Sequence, residues 1–329
     1  MRSRSRYEAA PQLPQMKGLS MHRLKTPSTA GLAVLALVVV LAAGCGGSKK
    51  ASSTTTTAAT TTTATTIATP ATDSTVAAQV PAKFKSKTLV IAADATYAPN
   101  EFIGSNGKTV EGMDPDLGKA LAAVMGVKVK VVNTTFDGII PGLAAGKFDV
   151  GMSSFTDTKE RQKTVDFVTY FQAGTSFYVK ASGGPTINSL ADLCGHSVGV
   201  ERGTTQAADA TAQSGKCKSA GKSGVKVSVY PDQNAANLAI SSGRQQVGMA
   251  DSPVAAYIVK QSNGQFKLTG KSYNTAPYGI AIPKGSGLTK PFLSALKVLM
   301  SDGTYKAILT KWGIADGAIT NPKINGAIS

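Results

Sequence analysis

From Lys87 to the C-terminus, short apolar or β-branched runs alternate with amphipathic stretches, and that alternation limits the fold more than any other feature. "TLVIAA" (88–93) reads as a buried strand. "SNGK" (105–108) is a hairpin turn. "DPDLGKALAAVMG" (114–126) reads as a helix with Asp114 as N-cap, Pro115 at its first position and Gly126 at its end. "VKVKVVN" is a strand, "FDGIIPGLAAG" a helix and "FDVGMSS" (148–154) a strand. A second series begins near residue 186: strand "HSVGV", helix "ERGTTQAADATAQSG", strand "VKVSVY", helix "DQNAANLAISSG", strand "QQVGMAD", helix "SPVAAYIVKQS". Strand "YGIAIPK" (278–284) and helices "TKPFLSALKVLMSDG" and "TYKAILTKWG" close the chain. Strands separated by helices of this length imply parallel α/β sheets. Roughly 245 folded residues suit two such sheets better than one. Ligands of such sheets sit beyond the carboxyl ends of the strands, at helix N-termini.

The N-terminal quarter has a different character. Arg2, Arg4, Arg6, Lys17, Arg23 and Lys25 precede the apolar run "GLAVLALVVVLAAG" (31–44) and Cys45. The run is shorter than the ~20 residues of a membrane-spanning helix, and a basic start with small residues before a cut is the pattern of a secretory signal peptide. "LAAGC" is similar to a lipobox, so residues 1–44 are expected to be removed and Cys45 lipidated. Residues 51–75 hold thirteen threonines and no apolar period, so 45–81 is expected to be a disordered tether. The expected location is the extracytoplasmic face of a membrane, anchored through Cys45.

The formal charge of +16 overstates the folded part, which carries 27 basic and 17 acidic residues over 81–329. Its lysines are dispersed, without the clustered patch that nucleic-acid binding needs. Cys194 and Cys217 form an even pair in an exported domain and suggest a disulfide. By loop entropy it would contribute roughly 3 kcal/mol. His196 is the one histidine beyond residue 44, so a metal site or a Ser–His or Cys–His nucleophile is not expected, and no cofactor is implied.

Two stretches carry recognition chemistry. In "GMSSFTDTKERQ" (151–162), Asp157 or Thr158 is read as capping a helix with Glu160 as a capping-box partner, so that N–H groups, Ser154, Thr156 and Arg161 converge on one anion. A plain capped surface helix is the alternative. "VERGTTQ" (200–206) repeats the logic: Gly203 allows close backbone approach, and Thr204, Thr205 and Gln206 open a helix. In "DATYAPNEF" (94–102), Asp94 and Tyr97 stand at a strand's carboxyl end, and Phe136 could form the opposite wall of a slot. Asp251 is either an N-cap or the counter-ion of an ammonium group.

Taken together, "DATYAPNEF", "GMDPDLGKAL", "FDGIIPGL", "GMSSFTDTKER", "VGVERGTTQ", "MADSPVA" and the ending "SDGTYKAILTKWG" resemble, in order, the amino-acid-binding family 3 of extracellular solute-binding proteins. The resemblance covers residues 87 to about 315. It implies a two-lobed α/β type II periplasmic-binding-protein fold, with two doubly wound sheets joined by a two-strand hinge. Residues 82–174 and 277–329 would form lobe 1, and 175–276 lobe 2. It implies that Arg161 holds an α-carboxylate with Thr156 and Thr205, that Ser154 and Asp251 hold the α-ammonium, and that Tyr97, Phe136 and Phe155 belong to the ligand site. Asp94, Glu201 and Gln206 would lie near the side-chain tip. The function it implies is a monomeric, non-enzymatic binding protein that passes a free amino acid to an ABC permease in the membrane; a sensory receptor is the alternative partner. Asp94 and Glu201 have no balancing base except Arg202, so the ligand is expected to be basic, with neutral glutamine as the alternative. A dehydratase on the same fold, acting on cyclohexadienyl substrates, is a further alternative.

Overall fold

The computed structural model describes residues 67–328. The expected signal peptide, Cys45 and most of the expected tether therefore lie outside the described residues. The end of the tether does not match expectation. Helix α1 (Ser74–Gln79) is capped by Asp73, whose carboxylate accepts the Val76 N–H at 2.9 Å. Val76 and Val80 are buried. Those two apolar side chains in an otherwise polar run are enough to seat the segment on the core. Helix α2 (Ala82–Lys85) follows and buries Phe84.

Six short strands and two helices build the first half: β1 (Leu89–Ala93), β2 (Thr96–Tyr97), β3 (Glu101–Ile103), β4 (Val110–Glu111), α3 (Met113–Val124), β5 (Val129–Asn133), α4 (Phe136–Ala144) and β6 (Val150–Gly151). The long strand β7 (Val165–Lys180) leads into β8 (Ser197–Glu201), α5 (Thr205–Ser219), β9 (Lys226–Tyr230), α6 (Gln233–Ser241), β10 (Val247–Asp251) and α7 (Ser252–Gln261). The second long strand, β11 (Phe266–Pro283), returns to the first half, where α8 (Thr289–Ser301) and α9 (Thr304–Lys311) complete it.

The expected two sheets are two parallel halves of one continuous eight-stranded sheet, ordered β5-β1-β6-β11-β7-β10-β8-β9. β5, β1 and β6 are parallel, as are β10, β8 and β9. Between them β7 and β11 run antiparallel, from Val165↔Pro283 to Lys180↔Phe266. Their register shifts near Tyr273, Ala276 and Gly279, which is where the sheet passes from one half to the other. A small sheet, β2-β3-β4, stands apart. One apolar core lies under α3, α8 and α9, and another under α5. Asp116 ties α3 to the end of α9, accepting from Lys311 Nζ at 2.7 Å and Trp312 Nε1 at 2.9 Å. The Cys194–Cys217 disulfide is formed and joins the loop before β8 to α5.

Three local expectations are corrected. Helix α3 begins at Met113 with Gly112, at φ 132°, in the cap position. A Cβ there would stand 2.2 Å from the Asn100 carbonyl, so glycine is required. Asp114 is not the cap; it is fully buried. The strand "FDVGMSS" narrows to Val150–Gly151. The helix expected after Asp157 is a single 3-10 turn, Arg161–Lys163. Thr158 Oγ1 accepts the Arg161 N–H at 3.2 Å, while Asp157 turns to Gln162 Nε2 at 2.7 Å and Glu160 pairs with Lys163 in solvent. Without an apolar stripe, nothing carries the helix further.

Candidate functional site

The carboxyl ends of β1, β6, β8 and β10 point at one cleft between the halves. Thirteen residues line it: Asp94, Tyr97, Glu101, Phe136, Ser153, Ser154, Thr156, Arg161, Glu201, Thr204, Thr205, Gln206 and Asp251. Ten of the eleven ligand-binding residues expected from sequence are among them. Phe155 is the exception. It is 1% exposed and stacks behind Phe136 at 4.5 Å between ring centroids, because the chain turns its apolar side chain into the core. Glu101 and Ser153 were missed as site residues, and Thr204 was expected only as part of the helix opening. Glu101 stands inside a motif that was recognised, but only burial reveals its role.

The cleft is closed by contacts across it. Arg161 Nη2 donates to the Gly203 carbonyl at 3.0 Å, and the Asp251 N–H donates to the Tyr97 hydroxyl at 2.9 Å. The Gln233 N–H reaches Thr96 Oγ1 at 3.2 Å. Arg202 pairs with Asp137 at 3.7 Å on the rim, so it does not enter the pocket.

Arg161 is fixed on several sides. Nη1 donates to the Thr156 carbonyl at 2.8 Å, and the guanidinium lies 5.3 Å from the ring centroids of both Phe136 and Phe155. Burial lowers its pKa to about 10, which leaves it charged at neutral pH. Helix α5 opens with Thr204, whose Oγ1 accepts the Ala207 N–H at 3.2 Å. Gln206 Nε2 donates to Asp251 Oδ1 at 2.8 Å and to Thr175 Oγ1 at 3.0 Å. Gln206 is thus locked on Asp251 rather than placed beside Asp94 and Glu201, which corrects the expectation. Asp251 precedes α7 without capping it through its side chain, and burial raises its pKa.

Asp94 is buried and pinned at the start of α4. Oδ2 accepts the Phe136 N–H at 2.9 Å and Oδ1 accepts from Thr96 Oγ1 at 2.6 Å. Burial raises its pKa. Glu201 ends β8, is 3% exposed, and leaves Oε1 without a hydrogen-bond partner. Burial, then Asp94, Asp232 and Asp251, push its pKa well up. At the back wall of the pocket, Glu101 accepts from Ser153 Oγ at 3.1 Å and Ser154 Oγ at 3.2 Å, while Asp114 Oδ2 accepts the Ser154 N–H at 2.8 Å. Ser154 adopts φ 53°, a left-handed conformation that costs a non-glycine residue energy and marks a site held by its surroundings. The lining thus holds four carboxyl groups and one guanidinium.

The family model for bacterial extracellular solute-binding proteins, family 3, matches residues 89–315. The arginine-binding protein ArgT of Corynebacterium glutamicum is 33% identical over 238 residues, 72% of this chain and 78% of that protein. The lysine/arginine/ornithine-binding periplasmic protein of Escherichia coli K12 is 33% identical over 234 residues, 69% of this chain and 87% of that protein. Among solved structures, an ancestral arginine-binding protein is 41% identical, with a TM-score of 0.62, over 69% of this chain and 98% of that one. It has been solved bound to arginine and bound to glutamine.

Proposed function

This chain belongs to the bacterial extracellular solute-binding proteins of family 3, and from that premise we propose that its cleft captures a free amino acid with a basic side chain: arginine, lysine or ornithine. Amino-acid binding for ABC transport, outside the cytoplasm and without catalysis, is the activity of its named relatives and of the chain. The finer assignments are the proposal. Arg161, with Thr156 and Thr205, grips the α-carboxylate. Ser154 and Asp251 take the α-ammonium. Tyr97 and Phe136 flank the side chain, whose charged tip meets Asp94 and Glu201. Cys45 anchors the chain to the membrane, and the chain acts as a monomer that delivers its cargo to a permease.

The observation that supports a basic ligand is the charge balance of the cleft. A zwitterion cancels Arg161 against Asp251 and leaves Asp94 and Glu201 facing each other, buried, with no cation opposite them among the described residues. Buried charge without a partner is expensive, and a guanidinium or ammonium group supplies the missing one. Neutral glutamine is the second reading, supported by the glutamine complex of the ancestral relative and by the ability of a protonated Glu201 to serve a neutral amide. Titration calorimetry with a panel of amino acids separates them. Tightest binding is expected for arginine, lysine or ornithine. Tight glutamate or aspartate binding with no arginine response would overturn the assignment.

A further inference from the structure

We infer that Glu201 is the specificity-determining acid of this cleft, that it holds a proton while the cleft is empty of a cation, and that a cationic side chain displaces that proton to solvent. The inference deepens the basic-ligand reading and rests on it. Three observations carry it. Glu201 lines the cleft, is 3% exposed, and its Oε1 has no hydrogen-bond partner. Asp94 beside it already accepts from Thr96 Oγ1 and the Phe136 N–H, which stabilise its charged form in place. The remaining neighbours add no cation. Tyr97 on β2, Tyr178 on β7, Asp232 capping α6 and Asp251 ending β10 face Glu201, and Arg202, next in sequence, is turned to Asp137.

Two buried carboxyls lining one pocket with no cation between them cannot both be charged at low cost, so one proton stays with the pair. Burial and three acidic neighbours favour its residence on Glu201. A guanidinium or ammonium tip entering the slot reverses that preference: Glu201 O–H breaks, the proton leaves to water, and both carboxylates then face the cation. The exchange is one positive charge in and one proton out. A neutral ligand leaves the proton where it is and accepts or donates to the Glu201 carboxylic acid instead. Side-chain charge is therefore read by a group that changes its own charge on binding.

Calorimetric titration of the full-length chain with L-arginine at pH 7, in phosphate and in Tris, counts protons through the difference in buffer ionisation enthalpy. About one proton released per arginine is expected. The affinity should strengthen about tenfold per pH unit while that proton is still held in the free protein. Glu201→Gln keeps a donor toward Asp94 and mimics the protonated acid. It should abolish the buffer difference and the pH slope, and shift preference from L-arginine toward L-glutamine by about tenfold or more. Tight arginine binding without proton release, or with a slope that Glu201→Gln leaves unchanged, overturns the inference and leaves the basic-ligand reading standing. Glutamine binding with no arginine response overturns both.

Discussion

The two ends of the cleft are built on opposite principles. Around Arg161 every partner is fixed and none titrates near neutral pH: backbone carbonyls of Thr156 and Gly203 hold the guanidinium, and two phenyl rings hold its plane. Around Glu201 the groups are carboxyls crowded together, with raised pKa values and a spare oxygen. A head group shared by all amino acids calls for a permanent, preorganised clamp. A side chain that differs between them calls for an end whose charge can be set. Under the proposed reading, affinity resides mainly at the first end and selectivity at the second.

The sharpest way to break that contrast is at the clamp. Arg161→Ala removes a two-pronged charged donor, each bond of which is worth about 1.5–3 kcal/mol, so binding of every amino acid should weaken by at least about 100-fold. Calorimetry against basic and neutral ligands checks it; a loss confined to one ligand class would place selectivity at Arg161. The next effect belongs to the other end. Asp94→Asn keeps the acceptor facing Phe136 but removes a charge, and should weaken arginine by about tenfold while changing glutamine much less. If both ligands weaken equally, Asp94 supports the pocket rather than reading the side chain.

The same contrast explains what could be read from sequence. Arg161, Thr205 and Asp251 sit at strand ends and helix starts, where glycine, hydroxyl and charge patterns announce an anion site. Ten of the pocket residues followed from such local patterns and a family resemblance. Glu101 and Ser153 did not, because their importance comes from burial against each other across 52 positions of chain. Gln206 was placed at the wrong end because its motif fixes the backbone of α5 but not which carboxylate its amide meets. The long strands β7 and β11 were the least legible. "FKLTGKSYNT" in β11 alternates too weakly to look like a strand, and pairing with β7, not propensity, holds it extended. The 74–79 helix was lost inside a threonine-rich run for the same reason: Val76 and Val80 need a distant core to matter.

The smallest expected effect on affinity lies at the back wall of the pocket, where Glu101 and Asp114 hold the serines. Burial pushes the pKa of Glu101 well up and that of Asp114 to about 6. Both groups therefore hold protons in the folded state that the unfolded chain loses near its ordinary carboxyl range. The sign follows from that. Their contribution to stability is complete below an ordinary carboxyl pKa, is lost for Asp114 as pH rises through about 6, and falls further for Glu101 above that. Asp166, part-buried and paired with Lys284, and the exposed Asp192 are shifted the other way and oppose it. Thermal midpoints should fall as pH rises from about 4.5 to 7.5. Glu101→Gln should flatten part of that slope while shifting arginine affinity only a few-fold, because an amide can still accept from one serine and donate to Asp114. Parallel slopes in the two proteins would show that Glu101 carries no proton in the fold, and that the serine pair is positioned by charge rather than by a shared hydrogen.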